Sequence, residues 1–285
     1  MPEFKTKISR DQAAAYGREA VRIIRQGQYT APSGRILNIA DDIERSVRGT
    51  VSYPPDLTVP ASSSGSHRTN IEIKNETTLS AASRLLPNGH RPVALNFASA
   101  THPGGGFLSG ALAQEEFLAR SSALYACLEN NPMYAFHQAR HDSIYTDYVI
   151  HSPDVPVFRS DDGLLLEEPY AVSIITSPAV NANAVPTDKR SEILPAMWSR
   201  ILKVLGVGLL HGHDRIVLGA WGCGAFGNDP SAIAKLFHRA LQEKFQGAYK
   251  RVVFAIVDWS SEERFIGPFK QVFDAHDSAD HRDRG

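Results

Sequence analysis

Two short segments hold the residue types that could do chemistry: Gly104-Gly105-Gly106 and, after seven intervening residues, Gln114-Glu115-Glu116. Glycine has no Cβ, so it admits positive φ and lets a ligand approach the backbone closely. Successive free N–H groups in such a turn form an anion-binding concavity. A second stretch, Gly222-Cys223-Gly224-Ala225-Phe226-Gly227, has the same capacity and feeds a helix that begins near Asp229, whose N-terminus adds partial positive charge. A triple glycine alone is equally consistent with a plain tight turn. Two such loops in one crevice suit a diphosphate better than a single phosphate. Neither is a Walker loop, because no Lys-Ser/Thr follows the glycines, and the first lacks the G-x-G-x-x-G pattern of a dinucleotide-binding dehydrogenase.

Glu115 and Glu116 open a helix. Acidic residues in a first turn complement the helix dipole, which is the bland explanation for either one. Two adjacent carboxylates beside an anion-binding loop are odder, since they repel each other and a bound phosphate. Neighbours on a helix point about 100° apart, so the pair is poorly placed to flank a bond as the two carboxylates of an ordinary glycosidase do. A division of labour fits better, one Glu holding sugar hydroxyls and the other moving protons.

The elements that must position these groups follow from periodicity. Residues 9–26 form an amphipathic helix with a Ser9/Gln12 capping box and a Gly27 stop; Tyr16, Ala20, Ile23 and Ile24 make its stripe, and Arg18, Arg22 and Arg25 a solvated face. Arg35 to Ala40 is a candidate strand, and Pro54 to Arg68 an exposed loop. Strands are expected at 71–74, 92–98, 145–151, 171–177, 216–220 and 251–257, with a hairpin over 157–166 turning at Asp162-Gly163. Helices are expected at 79–86, 115–128, 192–210 and from Asp229. This alternation predicts an α/β fold with helices on both faces of a mixed, mostly parallel sheet. Both glycine loops follow strands, so both point into the crevice beyond the strands' carboxyl ends. Residues 1–69 are expected to be an N-terminal extension packed on a core of residues 70–275, with a polar, frayed tail from 276 to 285.

The run from Asn96 to Gly106, followed by Gln114-Glu115-Glu116, resembles the signature of poly(ADP-ribose) glycohydrolases, in particular the compact bacterial type. The segment Gly222 to Asn228 is similar to that family's second, diphosphate-binding loop. The resemblance covers about residues 70–260, and the first helix also looks like the bacterial form. It implies a macrodomain-like three-layer α/β/α fold and hydrolysis of ribose–ribose O-glycosidic bonds. It further implies Glu116 as acid/base with a raised pKa, and Glu115 as the holder of ribose hydroxyls. Gly104, Gly105, Gly106 and Gly222 to Gly227 would cradle the diphosphate, and Phe226 would pack on the distal ribose. Gln114 belongs to the signature, and Asn96 would bind a sugar or order the loop. No cofactor or metal is required. The extension implies an enzyme acting mainly at polymer ends and releasing ADP-ribose. Partners would be poly(ADP-ribose), ADP-ribose and ADP-ribosylated proteins. A non-catalytic ADP-ribose reader and a hydrolase of mono-ADP-ribose conjugates stay open; the carboxylate pair argues against the reader.

The bulk numbers agree. Over 285 residues the net charge is −1, which gives no global positive field for binding DNA directly. Apolar residues are 42% and charged residues 21%, ordinary for a globular chain. No run approaches a membrane span and the N-terminus lacks an apolar core, arguing against an anchor or a signal peptide. Cys127 and Cys223 share no metal-ligand spacing, and a reducing, cytosolic setting is the simple expectation. The histidines, among them His137, His141, His151, His211 and His213, form no zinc pattern. Cys223 is expected to be a small spacer. For Asp258 and Trp259 at the end of the last strand, adenine contact, core and rim roles are all open.

Overall fold

A seven-stranded sheet organises the chain, and the computed structural model describes residues 8–280 of it. In chain order the elements are α1 (Arg10–Gln26), β1 (Gln28–Thr30), β2 (Ile36–Asn38), α2 (Ala40–Arg48), β3 (Val51–Tyr53), β4 (Asn70–Lys74), α3 (Thr78–Leu85), β5 (Val93–Ala98), α4 (Gln114–Ser121), α5 (Leu124–Leu128) and α6 (Pro132–Arg140). There follow β6 (Val149–Arg159), β7 (Leu165–Pro178), α7 (Ile193–Leu210), β8 (Arg215–Leu218), α8 (Pro230–Glu243), β9 (Arg251–Ala255) and α9 (Ile266–Asp280). The sheet order is β3-β6-β7-β5-β8-β9-β4. β3, β6 and β7 pair antiparallel, while β7, β5, β8, β9 and β4 pair in parallel. The mixed, mostly parallel sheet is thus as expected.

Strand alternation explains the three layers. Successive side chains on a strand face opposite ways. Val93 and Leu95, Ile216 and Leu218, and Val252 and Phe254 enter a core shared with α7, α8 and α9. Ala94, Val217 and Val253 face the other way, into a core shared with α1 and the helices from α2 to α6. The parallel strands run to their carboxyl ends on one edge, where the loops after β5 and β8 lie together.

Several elements depart from the sequence expectation. The helix expected over 115–128 is broken at Ser122, whose backbone is extended (φ −144°, ψ 174°). Ser122 bridges to Val157, and the Ala123 N–H donates to the Pro156 carbonyl at 2.8 Å. A tertiary strand contact therefore overrides local helix propensity. The expected strand at 145–151, the hairpin and the strand at 171–177 merge into one long hairpin, β6–β7, with register shifts after Ser152 and Val157. Only Ser173 to Pro178 of β7 pair with β5. The outer half of the hairpin leaves the sheet and arches over α3 and α4, with Thr77 Oγ1 donating to Asp161 Oδ2 at 2.8 Å near its tip. β3 is an edge strand of the main sheet, so the sheet itself runs across the boundary placed at residue 69.

Other local expectations hold. Ser9 Oγ accepts the Gln12 N–H and Gly27 closes α1 in the left-handed region. Arg18, Arg22 and Arg25 are exposed. One helical run, Thr187–Leu210, is long and apolar enough to cross a membrane by length and composition, which corrects the expectation that none approaches that length. It packs against the sheet, and Arg200 and Lys203 within it are buried and donate to backbone carbonyls. Of the tail from 276, the structure shows helix to Asp280; residues 281–285 and the N-terminal residues 1–7 lie outside the described residues.

Candidate active site

A cavity of about 600 Å³ opens at the carboxyl edge of the sheet. Its floor is Glu115, Glu116 and the end of β5, and the loop after β8 supplies Gly222, Gly224, Ala225 and Phe226. The third wall is Tyr16 of α1 with Arg159, Ser160, Asp161 and Gly163 from the β6–β7 hairpin. The first helix thus borders the crevice through Tyr16.

The two carboxylates are held differently. Glu115 accepts from the Ser99 N–H at 2.6 Å through Oε2 and from Asn96 Nδ2 at 3.4 Å through Oε1. The Gly104 amide adds a further hydrogen bond. Glu116 accepts the Gly106 N–H at 2.9 Å through Oε1, while its buried Oε2 has no hydrogen-bond partner among the described residues. Burial raises the Glu115 carboxyl to about 8, with the Glu116 charge adding to the shift against the hydrogen bonds that favour ionisation. Arg120, one turn on and nearly buried, donates to the Ala111 carbonyl at 3.0 Å; desolvation lowers its guanidinium to about 10, against the attraction of Glu116.

The first glycine loop serves this pair. The Gly105 N–H goes to the His102 carbonyl, and those of Gly104 and Gly106 to the two glutamates. Gly104, Gly105 and Gly106 are not part of the cavity lining, and the amides of Gly104 and Gly106 hold the protein's own carboxylates. The second loop keeps the anion-binding capacity. The N–H groups of Gly224, Ala225 and Phe226 have no acceptor among the described residues, while Asn183 fixes the loop by hydrogen bonds to the Ala225 and Phe226 carbonyls. Gly227 (φ +69°) packs on the Asn183 side chain, and Asn228 Nδ2 donates to Val180 and Gly222 carbonyls.

Three expected ligand contacts are structural. Asn96 is 0% exposed and bonds to Glu115 and Thr176, so it orders the site rather than meeting a sugar. Gln114 lines the cavity, but Oε1 accepts the Phe97 N–H and Nε2 donates to the Leu95 carbonyl and Thr78, clipping α4 to β5. Cys223 faces the core and its thiol is pushed up to about 12 by burial, which fits a spacer and not a nucleophile. Asp258 accepts from the Phe265 and Ile266 N–H groups at the start of α9, whereas Trp259, 54% exposed, sits in the cavity wall.

Sequence reasoning missed Asn183, Arg120, Arg159 and Asp161. Arg120 carried a signal, since it lies four residues after Glu116 on the same helical face. Arg159 carried none. It reaches the cavity only because the hairpin arches, stacking on the Tyr16 ring at 4.5 Å and pairing with Glu19 at 2.7 Å. Outside the cavity lining, His151 stacks on His211 (3.6 Å, 8°) and its Nε2 lies 3.1 Å from His213 Nε2. Among the described residues no group of three or more His, Cys, Asp or Glu could hold a metal ion.

A buried carboxylate pair facing a loop of free amides, on a macrodomain-like sheet, equips a protein for glycosidic chemistry on a phosphate-bearing sugar. Comparison with known proteins agrees. The model of the microbial-type PARG catalytic domain matches residues 17–160. The crystal structure of the poly(ADP-ribose) glycohydrolase from Thermomonospora curvata is similar at 48% identity and a TM-score of 0.87, covering 92% of this chain and 100% of that one. The same enzyme bound to the inhibitor ADP-HPD matches with a TM-score of 0.86 at 48% identity, over 92% of this chain and 99% of that one. The Deinococcus radiodurans enzyme in complex with ADP-ribose is 40% identical, with a TM-score of 0.78, over 82% of this chain and 97% of that one. No curated protein matches the chain. The chain belongs to the microbial-type poly(ADP-ribose) glycohydrolase (PARG) family. It is a glycosidase.

Proposed function

We propose that the chain hydrolyses the ribose–ribose O-glycosidic bonds of poly(ADP-ribose) with Glu116 as acid/base and Glu115 as the group that orients ribose hydroxyls. One observation carries the assignment of roles. Both glutamates line the cavity, but both oxygens of Glu115 are engaged by protein donors, while Glu116 Oε2 has no partner among the described residues. Glu116 is therefore the one free to hand a proton to the substrate.

Glu116 gives its proton to the leaving ribose oxygen as the glycosidic bond breaks through an oxocarbenium-like state. The substrate diphosphate, held by the amides of Gly224 to Phe226, stabilises the cation. Glu116, now a carboxylate, takes a proton from the water that attacks the anomeric carbon and returns to its starting form. The Deinococcus radiodurans relative in complex with ADP-ribose supports placing one ADP-ribose unit in this cavity. Because α1 walls the cavity, the enzyme works mainly from polymer ends and releases ADP-ribose.

Incubation with poly(ADP-ribose) tests this. Glu116→Gln and Glu116→Ala are each expected to lose about 100-fold or more in kcat. Undiminished cleavage in both refutes the role of Glu116. Binding without cleavage by the native chain favours a reader, and release of protein-linked mono-ADP-ribose with the polymer intact favours the other hydrolase. Early appearance of oligomers from long polymer sinks the end-acting reading.

A further inference from the structure

Between α6 and β6 the chain crosses behind the second loop as a strap, residues 141–148. Tyr145 at its centre has φ +57°, a region a bulky non-glycine residue rarely adopts. Such a conformation persists only where its surroundings over-determine it, and here they do. The buried Arg200 donates to the carbonyls on both sides of Tyr145, to Thr146 at 3.0 Å and to Ile144. The Tyr145 N–H turns back to the Asp142 carbonyl at 3.3 Å, and Asp142 Oδ1 accepts the Ile144 N–H at 2.9 Å. His137 Nε2 accepts the Thr146 N–H at 3.2 Å.

The strained backbone delivers one ring to one place. The Tyr145 ring stands edge-on to His137 at 5.7 Å and 70°, and 6.3 Å from the Phe226 ring at 42°. Phe226 is the aromatic residue that the second loop contributes to the cavity. The strap also reaches that loop through backbone: the Ser143 carbonyl accepts the Asn181 N–H at 3.0 Å, and the adjoining Asn183 holds the Ala225 and Phe226 carbonyls. Neither Tyr145 nor His137 lines the cavity. We infer that Tyr145 is a positioning residue that backs Phe226 and fixes where its ring stands against the substrate ribose; this rests on the polymer-hydrolase reading above. Aromatic pairs at such separations have preferred geometries, so an edge fixed on one side limits the tilt available on the other. Misplacing a ring that sets the scissile geometry lowers turnover more than binding.

The test is a double-mutant cycle on poly(ADP-ribose) cleavage, with thermal unfolding of each variant as the check on folding. Y145G tolerates the positive φ and removes the ring; Y145N, which also tolerates it, is the second variant should Y145G fold poorly. Both, like F226A, are expected to lose roughly 10- to 100-fold in kcat with a smaller change in KM. Y145F is expected to restore most of the turnover. In the F226A background, Y145G or Y145N should add little further loss, because the ring it supports is already gone. Equal losses in the native and F226A backgrounds, or native turnover in Y145G and Y145N while F226A is impaired, overturn the positioning role and leave the hydrolase reading standing. Full activity in F226A overturns the role together with the assigned function of Phe226.

Discussion

Gly105 lies against Glu116 so closely that a Cβ at position 105 would come well inside 3.0 Å of Glu116 Oε1, and to 3.0 Å from Glu115 Oε2. Its φ is +59°. Side-chain absence and backbone freedom are both required there, for the sake of the enzyme's own carboxylates.

Gly105→Ala should therefore impair turnover with the chemical groups intact. The backbone term alone costs about 1–2 kcal/mol, and the displaced Glu116 loses the Gly106 N–H. Thermal unfolding and steady-state cleavage of poly(ADP-ribose) check it. A variant as active and as stable as the native chain would show that the contact is not needed.

Glu115 predicts a pH dependence of stability. Its carboxyl is raised from an ordinary 4.5 to about 8 in the folded chain. Between those values the folded state holds a proton that the unfolded state has released, so stability from this group is full below about 4.5 and is lost as pH rises through 8. Glu115→Gln, which has no proton to lose, should gain stability over the native chain by more at pH 8.5 than at pH 5. Urea unfolding at the two pH values measures the gap, and a gap that does not widen contradicts the assignment.

The histidine cluster predicts the opposite limb. Burial lowers His151 to about 3, and lowers His211 and His213 as well. Arg91, Asp154 and Asp214 are the charged groups that act on it. The His151–His213 contact needs one ring with a proton and one without. Depressed values mean that stability is present above the ordinary 6.5 and falls as pH drops toward 3. His151→Gln should flatten the acid limb of an unfolding-versus-pH curve. An unchanged acid limb would remove the cluster from the account.

What the sequence made legible was local. The spacing from Gly104 to Glu116 and the cap at Ser9 depend on near neighbours, and both stand where expected. The acceptors of the Gly104 and Gly106 amides were not legible, because spacing says a donor exists and not which group it meets. The break at Ser122 was hidden because its cause, Val157, is 35 residues away and on a different element. β3 has three residues, too few for an alternation to register. α6 did carry an unread signal: Asn131 caps it and Pro132 occupies its first turn.

The arch of β6–β7 divides labour between holding the sheet and shaping the cavity mouth. Its inner half is bound to β5 and β3, and its outer half owes nothing to sheet pairing with them. At its tip Asp161 accepts from Thr77, and Gly163 (φ +88°) packs on the Tyr16 ring with its carbonyl accepting from Arg159, while the carboxylates and the second glycine loop have their mounts elsewhere. The mouth that the polymer must enter is thus shaped by a stretch of chain on which the carboxylates do not hang.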